Sequence, residues 1–183
     1  MDHPAGRIHF EHPFATPLQE RDPARRFRGR LAAPVTVWTA GAASRRGALT
    51  ISSLLVAEGE PALILGLVSD VSELWAAIQD SAAFVVHVLD VNQRRLADRF
   101  ALRIPAPGGV FADLEVSESR WGPILAEVPT RACCRLEGTS PVGYAQLVSG
   151  RIERLDLDED LDHPLVYFRG HYQMPSPQDD RND

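Results

Sequence analysis

The chain has 183 residues, 44% hydrophobic and 24% charged, with a formal net charge of −6. This is the composition of one soluble globular domain with a sizeable core, and the acidic balance argues against nucleic acid, which selects a basic footprint. All 19 basic residues are arginine, which excludes Schiff-base and pyridoxal-phosphate chemistry and the Gly-Lys-Ser/Thr phosphate loop.

In chain order, residues 1–30 form an arm rich in Pro, Arg and His without clean periodicity. Its start, MDHPAGRIHFEHPF, lacks a basic-then-apolar export pattern, and no apolar run approaches the ~20 residues of a membrane span. His9 and His12 are closely spaced, but a third zinc ligand is not evident. The segment RDPARRFRGR (Arg21–Arg30) reads as a solvated arm or a subunit contact. The domain proper is expected over 31–172, followed by a flexible acidic tail, 173–183. PVTVWTAG (Pro34–Gly41) is β-branched and aromatic and reads as a strand. Ala42–Gly47 is a turn carrying Arg45 and Arg46, and Ala48–Ala57 is a second strand. Alternation on it sets Thr50 and Ser52 opposite the core-facing Ile51, with Ser53 turning at the strand end. Those hydroxyls read either as strand-end satisfiers or as a ligand-binding rim.

Glu58–Pro61 breaks the chain before Ala62–Val68, which is apolar on both faces and reads as a buried strand. A helix is expected over Ser69–Ser81, capped by Asp70 or Ser69, with Leu74, Ala77, Ile78 and Ser81 on one face. Ala83–Asp90 is a strand and Asn92–Ala101 a short helix with Leu96 and Phe100 at i, i+4. Residues 108–128 are expected to be irregular around Trp121. Three strands follow, over 130–143, 145–157 and 164–172, with the acidic loop DLDEDLD between the last two. That loop lacks the glycine and spacing of a calcium-binding EF-hand. Cys133 and Cys134, adjacent on a strand, face opposite ways and cannot easily pair, so a cytoplasmic setting is expected. The absence of a βαβ series with a glycine fingerprint argues against a dinucleotide-binding doubly wound fold. About seven strands with helices inserted point to a mainly β chain closed into an antiparallel barrel.

Five segments in order resemble the flavin reductase-like, FMN-binding split-barrel family: APVTVWTA, GALTISS, EPALILGLV, FVVHVLDVNQRRLADRFA and HPLVYFRGHY, across about residues 31–172. His87 stands where asparagine is usual. The resemblance implies an antiparallel split β-barrel, a homodimer with one flavin per subunit near the interface, and NADH or NADPH as hydride donor. FMN is favoured, and FAD remains open because the only argument is the lack of an adenine-binding signature. An oxygenase partner would follow if the chain is the small component of a two-component monooxygenase. On this reading Thr50, Ser52 and Ser53 address the flavin, and Ser69 and Ser72 are donors near its phosphate.

Two departures from the family pattern stand out. Asp70 and Leu74 occupy places where a basic residue and a threonine are usual. Like charges ~6 Å apart repel by roughly 3 kcal/mol at an effective dielectric of ~20, so Asp70 is expected to cap the helix and point away. Arg45 and Arg46 then lead Arg94 and Arg169 as candidates to neutralise the phosphate, the alternative being solvated turn charges. The second departure is Gly143-Tyr144-Ala145 in place of a Gly-Asp-His run beside the nicotinamide. Tyr144 could stack on the flavin or take the nicotinamide's place, or could be a packed barrel tyrosine. His171, replacing an arginine before the closing tyrosine, is a structural residue or a base on the nicotinamide side. No catalytic side chain is assigned. The alternatives to a reductase are a flavin carrier, storage or sensor protein without turnover, an empty dimerising scaffold, or the same fold holding haem or a deazaflavin.

Overall fold

The computed structural model describes residues 22–159 and 163–173. A short helix α1 (Pro23–Arg28) precedes strands β1 (Ala33–Pro34), β2 (Thr36–Ala40), β3 (Gly47–Ile51), β4 (Leu54–Ala57) and β5 (Leu63–Val68). Helix α2 (Glu73–Ser81), strand β6 (Ala83–Val88) and helix α3 (Arg94–Phe100) follow. The remaining strands are β7 (Val116–Ser117), β8 (Ile124–Leu125), β9 (Arg131–Val142), β10 (Ala145–Asp156), β11 (Val166–Phe168) and β12 (His171–Gln173).

The main sheet has seven strands in the order β3-β2-β6-β9-β10-β5-β4, every neighbouring pair antiparallel. β3 and β4 are therefore sequence neighbours on opposite edges, joined only through Ser52 and Ser53. Three Cα steps span at most about 11 Å, whereas the edges of a flat seven-stranded sheet lie about 29 Å apart. The sheet must curl until its edges meet, and the Ser52–Ser53 link is the seam. Across it the Leu67 amide donates to the Ser53 carbonyl at 2.9 Å. The expected continuous strand Ala48–Ala57 is thus corrected to two strands on opposite edges.

Inside the curl, Trp38 of β2 stacks on Phe84 of β6, ring centroids 4.7 Å apart. Gly66 of β5 and Gly150 of β10 leave room for these rings: a Cβ on Gly66 would fall 2.6 Å from the Trp38 ring, and one on Gly150 would run into Phe84. Ile51, Ile64, Val68, Leu74, Ile78, Val86, Cys134 and Val148 complete this core. A second core lies under α3, where Leu96, Ala97 and Phe100 pack with Val35, Val37, Leu89 and Leu125. This is why β2 is buried on both faces. Cys134 sits in the inner core and Cys133 with Trp121 on the other side, both free thiols.

Several boundaries differ from expectation. α2 starts at Glu73, not in the Ser69–Asp70 pair, because Ser72 is its cap: Oγ accepts from the Trp75 amide. Asp70 is exposed in the preceding turn and caps nothing. Leu74, Ala77 and Ile78 form the buried face, while the Ser81 hydroxyl donates back to the Ala77 carbonyl. Residues 108–128 hold the small β7–β8 pair. The closing strand is a hairpin, β11–β12, turning through Arg169 and Gly170 at φ +50° and +87°. It pairs with β1 in a separate three-stranded sheet. Residues 1–21 and 174–183, with His9, His12 and most of the acidic tail, lie outside the described residues.

His87 is fully buried. Its Nε2 accepts from the Leu125 amide at 3.2 Å, so Nδ1–H is the donor to the Val37 carbonyl at 3.1 Å. Burial pushes its pKa down to about 4, with the Arg131 charge adding to the effect and the Val37 carbonyl opposing it.

Two outcomes follow. Gly150→Ala forces Phe84 to move and lowers unfolding free energy by about 1–3 kcal/mol, while Gly138→Ala, with nothing within 4 Å of its Cβ, stays within about 0.5 kcal/mol of the parent; urea titrations check both. Between pH 6.5 and about 4 the unfolded chain carries a proton on His87 that the folded chain refuses. Stability therefore falls with decreasing pH across that window, by roughly 3 kcal/mol in all, and the His87→Asn variant loses this share of the slope.

Candidate functional site

The curl creates one large groove, about 1230 Å³, beside the seam. Ser52 and Ser53 lie on it, and Leu54, Leu55, Leu65, Leu67 and Leu147 of β4, β5 and β10 give it an apolar strip. The alternation of β5 explains the strip: Ile64, Gly66 and Val68 turn into the core, leaving Leu65 and Leu67 on the outer face. Tyr167 and Tyr172 line another part of it, edge to face with centroids 5.5 Å apart. The Tyr172 hydroxyl donates to Asp98 at 3.0 Å, and its pKa is pushed up to about 12 by burial and by that carboxylate. Arg103 donates to the Tyr167 hydroxyl at 2.8 Å, which fixes both the ring and the guanidinium.

The polar lining is of one sign. Arg25, Arg26, Arg28, Arg30, Arg103 and Arg169 line the groove, and among the described residues no Asp or Glu does. Four of these arginines come from α1 and the residue beyond its Gly29 cap. The Asp22 carboxylate accepts from the Ala24 amide and Pro23 occupies the first turn, both favourable at a helix start. Gly29 then accepts from the Arg169 amide at 2.7 Å, which anchors the segment to the β11–β12 turn. Sequence reasoning reads these arginines as a solvated arm or a subunit contact and assigns them no ligand. The available signal was their density in RDPARRFRGR, but only the fold brings that segment to Ser52 and Ser53.

The residues singled out from sequence separate into groups. Thr50, Ser52 and Ser53 share the groove. The Thr50 hydroxyl is engaged, donating to the Ala97 carbonyl at 2.7 Å and holding α3 to β3. Ser69 and Ser72 lie outside the groove's lining and satisfy each other and the helix, the Ser72 hydroxyl donating to the Ser69 carbonyl at 2.7 Å. Arg45 pairs with Asp80 at 2.8 Å beside a smaller hollow of about 380 Å³ near Trp121. Arg46 sits 4.5 Å over the Phe111 ring, with Glu118 at 3.9 Å. Arg94 lies over Tyr172 at 5.4 Å. Of the four arginines proposed for a phosphate, only Arg169 reaches the groove. Tyr144 is wholly exposed at the tip of the β9–β10 hairpin, so it is no packed barrel tyrosine. His171 is exposed on β12 and outside the groove's lining. Among the described residues no His/Cys/Asp/Glu group could hold a metal ion, and no helix is long and apolar enough to cross a membrane.

Residues 28–176 match the model of the flavin reductase like domain. The chain belongs to the flavin reductase-like family. Within it, the chain is 31% identical over 151 residues to the NADH-dependent FMN reductase AsuE2 of Streptomyces nodosus subsp. asukaensis, covering 81% of each. It is 30% identical over 144 residues to the reductase component of 4-hydroxyphenylacetate 3-monooxygenase from Thermus thermophilus, covering 79% of this chain and 89% of that protein. Among solved structures, component B of nitrilotriacetate monooxygenase from Mycobacterium thermoresistibile superposes with a TM-score of 0.76 at 26% identity, covering 87% of this chain and 89% of the other. The split-barrel fold is thereby shared.

Proposed function

We propose that this chain is an NAD(P)H-dependent flavin reductase that holds FMN in the groove at the Ser52–Ser53 seam. The observation that carries this reading is a groove lined both by a leucine strip and by arginines, with no Asp or Glu lining it among the described residues. FMN has the matching parts: a flat apolar ring, a polar rim and a dianionic tail. The donor set therefore fits the group. Flavin bound there supplies the hydride-accepting chemistry, with NADH or NADPH as the donor.

This chain's own residues bind and orient. The leucines of β4, β5 and β10 exclude water from one face of the groove. The Ser52 and Ser53 hydroxyls, which have no protein partner among the described residues, are donors for the ring's rim or ribityl chain. Thr50 holds the seam in place through α3. The absence of an assigned acid or base agrees with hydride transfer between two cofactors, which asks the protein for alignment and dryness.

Relatives named as monooxygenase reductase components support an oxygenase as the consumer of reduced flavin. Val56, more than half exposed on β4 beside the groove, supports a second copy of the chain as the cover of this face. A flavin carrier without turnover is favoured by Ala145, which offers no donor or acceptor where the family's histidine stands. Aerobic oxidation of NADH or NADPH with added FMN separates the two readings. Turnover well above the flavin-only blank is expected, and Ser52→Ala combined with Ser53→Ala raises the KM for FMN about tenfold. Yellow protein that oxidises neither nicotinamide would overturn the reductase reading.

A further inference from the structure

We infer that Asp98 is a positioning residue for the hydride donor: through Tyr172 and Arg103 it fixes the corner of the groove that receives the nicotinamide carboxamide. The inference rests on the proposed reductase reading and deepens it.

Hydride transfer needs the nicotinamide held against the flavin ring. The side chains singled out from sequence for that task do not reach the groove. Tyr144 and His171 are exposed and lie outside its lining, and Ala145 has no polar side-chain atom. Within the groove, Arg103, Tyr167 and Tyr172 form a polar and aromatic corner apart from the leucine strip.

The end of α3 builds this corner. Leu102, 73% exposed, adopts a left-handed φ of +56°, a conformation rarely held by a leucine and concentrated at functional sites. It closes the helix in a double turn: the Leu102 amide donates to the Arg99 carbonyl at 3.1 Å and the Arg103 amide to the Asp98 carbonyl at 2.9 Å. The turn returns the Arg103 guanidinium to 3.6 Å from the Asp98 carboxylate. Asp98 also accepts from the Tyr172 hydroxyl, and Arg103 donates to the Tyr167 hydroxyl. The preceding residue, Ala97, holds Thr50 next to the seam. Consecutive residues of α3 thus tie down the proposed flavin seam and the tyrosine corner.

The bonding pattern selects a ligand group. A phenol has one hydrogen to give and lone pairs to accept. Tyr172 gives its hydrogen to Asp98, which leaves an acceptor. Tyr167 accepts from Arg103 and, among the described residues, keeps its own hydrogen, which leaves a donor. A carboxamide is the complement, with a carbonyl that accepts and an amine that donates. The Arg103 guanidinium, 5.2 Å over the Tyr167 ring, steadies the pair.

Kinetics with NADH and NADPH, together with FMN titration by fluorescence, test the assignment on the parent, Asp98→Ala and Asp98→Asn. Asp98→Ala raises the KM for the nicotinamide about tenfold, while the dissociation constant of FMN stays within about twofold. Asp98→Asn keeps an acceptor for Tyr172 and raises that KM only about threefold. Equal weakening of both ligands, or an unchanged nicotinamide KM in a variant that melts earlier, overturns positioning and leaves Asp98 a purely structural tie. A second readout uses inhibition by oxidised dinucleotides. The parent binds NAD+ about fivefold tighter than its 3-acetylpyridine analogue, whose methyl ketone has no N–H. Tyr172→Phe, which lacks the acceptor, erases this ratio; an unchanged ratio overturns the carboxamide assignment. Asp98→Asn and Tyr172→Phe decide the question if Asp98→Ala does not fold. A parent that oxidises neither nicotinamide overturns the proposed function itself, whereas a turning-over parent matched by Asp98→Ala overturns only the role of Asp98.

Discussion

Two residues, Ser52 and Ser53, connect strands at opposite edges of a seven-stranded sheet. So short a connection is incompatible with an open sheet. Curling brings Trp38 and Phe84 together in the interior, and the two glycines on β5 and β10 are the shape consequence of that stack. The same curvature turns Leu65 and Leu67 outward next to the seam. The barrel's closure and the groove's apolar strip are one geometric event.

The electrostatics of the groove come from outside the barrel. In a chain of net charge −6, the described residues along one cavity include six arginines and no carboxylate. Its acidic residues are placed on other surfaces, such as Glu153 and Asp156 among the arginines of β9 and β10. The Glu153 carboxylate is held below its usual range by the Trp121 indole N–H and then by nearby arginines. Segregating charge in this way lines the groove with positive charge without making the whole protein basic.

Much of the barrel was legible because its signals are local. Alternating and β-branched residues marked the strands at 34–41 and 83–90, and the spacing of Leu74, Ala77 and Ile78 marked the buried face of α2. The seam was not legible. Thr50 through Ser53 continue a strand pattern with no glycine or proline, and the break arises from closure with residues far away in sequence. The α2 cap was misplaced because Ser69, Asp70 and Ser72 all offer caps, and only the turn geometry, with the Ser72 amide on the Ser69 carbonyl at 3.2 Å, selects Ser72. The closing motif HPLVYFRGHY was recognisable, but its division into a hairpin depends on left-handed Arg169 and Gly170, of which only the glycine announces itself. The groove's arginines stayed hidden for the same reason as the seam: the contact between 25–30 and 52–53 is made by tertiary structure alone.

The most direct measurement of the whole account is a crystal structure of this chain with FMN. The account predicts the ring lying along Leu54, Leu65 and Leu67 beside the Ser52–Ser53 seam. Density for FMN only in the hollow beside Arg45 and Trp121 would contradict it.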